Sequence, residues 1–200
     1  MGVAGATADS HTIIIAGIAG LLAGGFSMSL GEWISVKSAQ ELAERQMEIE
    51  RMEIETDPEG EERELALIYL AKGIEKETAE RMAHEVMSNK SHAYEVLVKE
   101  ELGIHMEELK GSPWEAAISS FILFIIGAGI PVSPFFFFTG YTAIMISVGF
   151  STLGLFAIGS AITLFTGKSV WYSGMRQVLF GILAAAITFA VGKLLGVAVS

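Results

Sequence analysis

The sequence contains no cysteine in 200 residues. That absence excludes disulfides, thiolate metal sites and cysteine nucleophiles. It also lacks a basic stripe: 13 lysines and arginines stand against 23 acids, for a net charge of −10. A chain so poor in cationic side chains has nothing with which to neutralise a phosphate backbone, so nucleic acid is excluded as a partner and small cations are favoured. No basic region precedes the first apolar run, so no cleavable signal peptide is predicted.

Charge of either sign is scarce outside one stretch. Twenty of the 23 acidic residues lie between Lys37 and Lys110, and only Asp9, Glu32 and Glu115 fall elsewhere. Ten of the 13 basic residues share that stretch, leaving Lys168, Arg176 and Lys193 outside it. The acidic segment is therefore set into apolar material, which brings the whole chain to 52% hydrophobic residues.

Crossing a bilayer takes about 20 mostly apolar residues in helical form. Four stretches reach that length, at 12–36, 113–130, 135–165 and 175–197. The third is long enough to tilt, or to use its phenylalanine run at 135–138 at an interface. Helices apolar all round also occur in soluble cores, but four of them in so short a chain point to a membrane. The expected fold class is all-α: a polytopic α-helical membrane protein with a cytosolic helical insert. Its divisions are 1–36, a first transmembrane region; 37–112, the acidic metal-binding insert; and 113–200, three transmembrane helices. The connection at 131–134 carries no charge, whereas the 167–174 loop and its edge carry Lys168 and Arg176. The basic residues place that loop and the insert in the cytosol. Trp33, Trp114, Trp171 and Tyr172 then fall near one interface, where amphipathic rings prefer to sit.

Within the insert, the first span is predicted to continue as one helix through Glu55. Asp57-Pro58 stops it and starts a second, with Leu65, Ile68, Tyr69 and Lys72 on one face and Gly73 at its end. A third covers about 74–87, with Ala79, Met82, Ala83 and Val86 as its stripe, and Asn89 ends it. Ser91 is the expected cap of a fourth, which buries Tyr94, Leu97, Val98 and Leu102 and stops at Gly103.

The chemistry of the insert is in its carboxylates. Glu50 and Glu53 lie three apart on one helix face, and Glu61 and Glu64 repeat that spacing just after the Pro58 turn. Folding back at Pro58 allows the two pairs to converge, and inward-facing carboxylates on facing helices are how di-iron and di-manganese bundles hold their ions. Oxygen donors suit Fe²⁺, Mn²⁺, Mg²⁺ and Ca²⁺; Met47, Met52, His84, His92, His105 and Met106 would bias the choice toward transition metals. The competing reading is a solvated acidic face, with each acid balanced by Arg45, Arg51 or Arg63. Spacing alone leaves both open. In the first span Ala16, Gly20 and Gly24 make a small-residue stripe that continues into Met28 and Glu32. The pair marks either the mouth of a metal path or plain packing and a snorkelling acid.

The segment Gly24-Gly25-Phe26-Ser27-Met28-Ser29-Leu30-Gly31-Glu32, followed by a Glu-rich helical insert, Glu101-Leu102-Gly103 and three closing spans, resembles the vacuolar iron transporter family. The likeness covers nearly the whole chain and is that of a bacterial or archaeal member, in the plasma membrane of a prokaryote. It implies a dimer that moves Fe²⁺, and in some members Mn²⁺, out of the cytosol in exchange for protons, with no organic cofactor. It implies metal binding by Glu50, Glu53, Glu61, Glu64 and Glu101, and a transport path that includes Met28 beside Glu32. Three departures accompany it. Leu97 and Val98 stand where the family has methionines, Gly20 stands where some members have glutamate, and Met1-Gly2-Val3-Ala4-Gly5-Ala6 resembles only the tail of the family's first span, so the chain is expected to be N-terminally shortened. A membrane-anchored metal buffer or sensor without transport is the alternative. A di-iron ferroxidase ranks last, because the insert has no Glu-x-x-His motif.

Overall fold

The computed structural model describes residues 1–7, 9–105 and 108–199, and among them every regular element is a helix. In chain order these are α1 (Gly2–Ala6), α2 (Ser10–Thr56), α3 (Pro58–Ala71), α4 (Lys76–Met87), α5 (Lys90–Glu100), a 3-10 turn at Glu108–Lys110, α6 (Pro113–Val132), a second 3-10 turn at Ser133–Phe136, α7 (Gly140–Thr166) and α8 (Val170–Val199). Four segments are long and apolar enough to cross a membrane: Ser10–Thr56, Pro113–Phe136, Gly140–Thr166 and Val170–Gly196. The chain is thus an all-α polytopic membrane protein. Two compact units are present, one of residues 1–30 with 117–200 and one of residues 31–116.

The first unit packs by close backbone approach. A side chain at Gly24 would collide with the Phe124 ring, and one at Gly25 would press on Phe121. Gly17 faces Val132 in the same way, whereas a side chain at Gly20 would meet no other described group within 4 Å. The close approach is therefore made by Gly17, Gly24 and Gly25 and not by the full stripe through Gly20. Pro131 and Pro134 end α6 in a tight turn, with the Pro134 carbonyl accepting from Phe137 and Phe138. Residues 135–138 consequently stand outside α7, which starts at Gly140, later than expected. Phe135 is buried with Ala4, Ile13 and Ala143, while Phe137 is 82% exposed. α8 starts earlier than expected and takes in Trp171 and Tyr172.

In the second unit, Asp57 caps α3 by accepting from the Gly60 amide, with Pro58 at the first helical position. Gly73, at φ +88°, lets the chain turn out of α3. The cap of α5 is Asn89 and not Ser91: its Oδ1 accepts from the Ser91 and His92 amides at 3.2 and 3.3 Å. Asparagine's side chain reaches two donors of the first turn. Ile54, Leu65, Ala66, Tyr69, Ala79, Ala83 and Leu97 make one core, with Tyr94 and Val86 packed against it. Met82, expected on the buried stripe of α4, stays partly exposed. Trp33 and Trp114 meet at 5.8 Å between ring centroids, tilted by 56°.

Candidate metal centre

The core of the second unit positions the acids. Glu50 precedes Ile54 by four residues on α2, Glu61 precedes Leu65 by four on α3, and Glu101 follows Leu97 by four at the end of α5. Side chains four apart share a helix face. Each carboxylate therefore extends a row that the hydrophobic core has already turned inward. One oxygen from each of Glu50, Glu61 and Glu101 lies within 4.8 Å of the others. Glu50 is only 1% exposed and Glu61 7%, whereas Glu101 is exposed and keeps one side of the group open to solvent.

Burial without partners is costly for a carboxylate. Glu50 Oε1 and Glu61 Oε2 are buried and have no hydrogen-bond partner among the described residues. Burial, then the neighbouring charges of Glu101, Glu61 and Glu53, push Glu50 up to about 8. Burial, then Glu101, Glu53 and Glu64, push Glu61 up to about 7. Glu101 is raised too, first by burial and then by Glu64 and Glu53. Both shifts favour the protonated carboxyl over the charged one. No Lys or Arg pairs with these acids among the described residues; the ion pairs there are Lys37–Glu41, Lys72–Glu100, Lys76–Glu80 and His84–Glu62. Arg45, Arg51 and Arg63 are in none of them, so the arginine-balanced acidic face is not what the chain builds.

Such a group is short of positive charge and rich in oxygen donors. Around a dication with metal–oxygen bonds of about 2.0–2.4 Å, ligand oxygens lie within about 4.8 Å of one another. The spacing of these three carboxylates fits that geometry. Glu53 and Glu64 stay exposed, one turn from Glu50 and Glu61, and contribute field.

A match to the VIT family model spans residues 1–193. This chain belongs to the VIT family. Among curated relatives, the vacuolar iron transporter of Acanthamoeba castellanii is 35% identical over 190 residues, covering 91% of this chain and 69% of that protein. Vacuolar iron transporter 1 of Arabidopsis thaliana is 30% identical over 193 residues, 96% of this chain and 77% of its own length. The vacuolar iron transporter of Plasmodium falciparum is 30% identical over 203 residues, 97% and 74% respectively.

In this VIT family chain Met28 and Glu32 lie one turn apart on α2, both exposed. Glu32 precedes Glu50 by 18 residues on that helix, roughly 27 Å of helical rise. The two are therefore no part of the three-carboxylate group. No histidine joins that group among the described residues. His84 instead meets Glu62, its Nδ1 3.1 and 3.2 Å from the two carboxylate oxygens. His92 and His105 are exposed, Met47 is half-buried and Met52 44% exposed, and Met106 lies outside the described residues. The relation of each acid to a core residue four positions away was a signal that the Glu-x-x-Glu spacing did not use.

Proposed function

We propose that the chain exports or sequesters cytosolic Fe²⁺, with Mn²⁺ as a second cargo, in exchange for protons and as a homodimer. The observation that carries this reading is the group of Glu50, Glu61 and Glu101: two buried carboxyls with unpartnered oxygens and one exposed, in no ion pair with Lys or Arg among the described residues. The printed names of the relatives, vacuolar iron transporters, support iron as the cargo. Glu53 and Glu64 draw hydrated ions to the insert on the cytosolic side. There the ion exchanges water for carboxylate oxygens and displaces protons that the raised Glu50 and Glu61 carboxyls hold. That displacement is a direct route to metal–proton competition. Met28 and Glu32 receive the ion where α2 passes into its apolar segment, the thioether favouring a transition metal over Mg²⁺.

The test is Fe²⁺ uptake into inverted vesicles carrying the chain. Uptake is expected to alkalinise the lumen, and Glu50→Ala with Glu53→Ala is expected to abolish uptake at low micromolar Fe²⁺. Uptake that survives the double substitution removes the capture role. Fe²⁺ movement with no lumenal pH change removes proton exchange. Binding without uptake leaves a membrane-anchored metal buffer.

A further inference from the structure

Among the described residues, Gln40 of α2 hydrogen-bonds the segment that leads from the insert back to α6. Gln40 Nε2 donates to the Leu109 carbonyl at 3.0 Å and to the Gly111 carbonyl at 2.6 Å. Both partners are carbonyl oxygens, so the amide must turn its NH2 group to them and commit both hydrogens. Each bond joins residues some seventy positions apart, 69 in one case and 71 in the other.

The fastened segment starts at the metal centre. Glu101 closes α5, its own amide donating to the Leu97 carbonyl. Gly103 follows at φ +64°, and the Ile104 amide donates back to the Val98 carbonyl at 3.1 Å. Leu97 and Val98 are fully buried, but Glu101 stands one turn further out and is exposed. A helix end in that position frays unless the outgoing chain is held. Gln40 precedes Glu50 by ten residues on α2, roughly 15 Å of helical rise. The helix that presents Glu50 therefore also grips the chain that leaves Glu101.

We propose that Gln40 is a positioning residue for the metal centre. By holding Leu109 and Gly111 against α2, it keeps the last turn of α5 formed and the Glu101 carboxylate within reach of Glu50 and Glu61. Gln40 is too far along α2 to touch the ion and acts through the backbone it binds. The proposal rests on the three-carboxylate group being the capture site.

The experiment is anaerobic calorimetric titration of the full chain in detergent with Fe²⁺, as a double-substitution cycle. Gln40→Ala is expected to weaken Fe²⁺ binding by about 3- to 10-fold, the scale of losing one or two hydrogen bonds. In a Glu101→Ala background the same substitution is expected to change nothing, because the ligand it serves is gone. Gln40→Lys, which keeps a long donor for the two carbonyls, is expected to restore binding. Equal weakening with and without Glu101 overturns the proposal, since a general structural role gives that result. So does a Gln40→Lys chain as weak as Gln40→Ala, or a Gln40→Ala chain that binds like the wild type. Glu101→Ala binding like the wild type is a different failure: it removes Glu101 from the ligand set and with it the capture-site reading.

Discussion

The two units differ in the polar side chains they bury. In the unit of residues 1–30 and 117–200 the buried polar side chains are neutral hydroxyls. Several donate to carbonyls of their own helices, Ser147 donates across to Pro131, and those of Ser10, Ser151 and Ser160 have no partner among the described residues. Ser29 donates to the Phe26 carbonyl, Thr152 to Val148, Thr163 to Ser160 and Thr188 to Ala184. Such local bonds let a small polar residue lie in an apolar helix without a distant partner. In the unit of residues 31–116, Glu50 and Glu61 are brought inside and left with oxygens unpartnered. An unpartnered neutral hydroxyl costs far less than a desolvated carboxylate, so unbalanced acids gathered at one point are the larger burden and mark the candidate site. The difference teaches where to look: the burden of desolvated charge is in the insert, not among the spans.

The sharpest way to break the contrast is to neutralise the buried pair without changing its shape. Glu50→Gln with Glu61→Gln is expected to weaken Fe²⁺ binding by more than about 100-fold, beyond the 10–100-fold typical of losing groups that merely orient ligands. The same substitution is expected to raise the melting temperature of the metal-free chain at pH 8, where Glu61 is ionised and Glu50 partly so, because that desolvated charge is gone. Calorimetry and thermal melts check the two halves. Unchanged affinity would make the pair a structural feature and erase the distinction between the units.

pH sharpens it further. Glu50 and Glu61 hold protons up to about 8 and about 7, above the ordinary 4.5. Between the ordinary value and these, the folded chain binds more protons than the unfolded one, so stability falls as pH rises. The contribution is full below about pH 4.5 and is lost as pH climbs through 7 and 8. Metal binding runs the other way and strengthens over that window, by up to about tenfold per pH unit for each proton displaced. Melts of the full chain at pH 6, 7 and 8.5, with and without Mn²⁺, are expected to show metal stabilisation growing with pH. A stabilisation independent of pH would separate the ion from these carboxyls.

The smallest effect belongs to the spans. Gly24→Leu drives a side chain into the Phe124 ring, and is expected to cost about 1–3 kcal/mol, as overpacking does. Thermal unfolding in detergent measures it. Fe²⁺ affinity is expected to stay at the wild-type level, and a fall in affinity would tie the spans to the capture site.

Much of the helical layout was legible along the chain. Apolar length announced the four spans, Asp57-Pro58 announced the break between α2 and α3, and Gly73 and Gly103 announced helix ends, because each of these signals is local. Errors fell where two local signals compete or where a neighbour decides. Asn89 and Ser91 are both capping residues, and only the path of the chain selected Asn89. The phenylalanines at 135–138 are as apolar as a span, yet Pro131 and Pro134 just before them bend the backbone, and Phe135 turns inward while Phe137 faces out. Gly20 belongs to a regular four-residue stripe but meets nothing, because the crossing of α2 and α6 selects Gly17, Gly24 and Gly25.

By itself the sequence determined that helices form, where they break, and that carboxylates are concentrated in one segment between apolar ones. Composition and period set those properties, and both act over a few residues. Only the tertiary structure decided that Glu50, Glu61 and Glu101 share a point while Glu53 and Glu64 face solvent. That choice depends on which helix face the Ile54, Leu65 and Leu97 core turns inward, and a core is a contact among residues far apart in the chain.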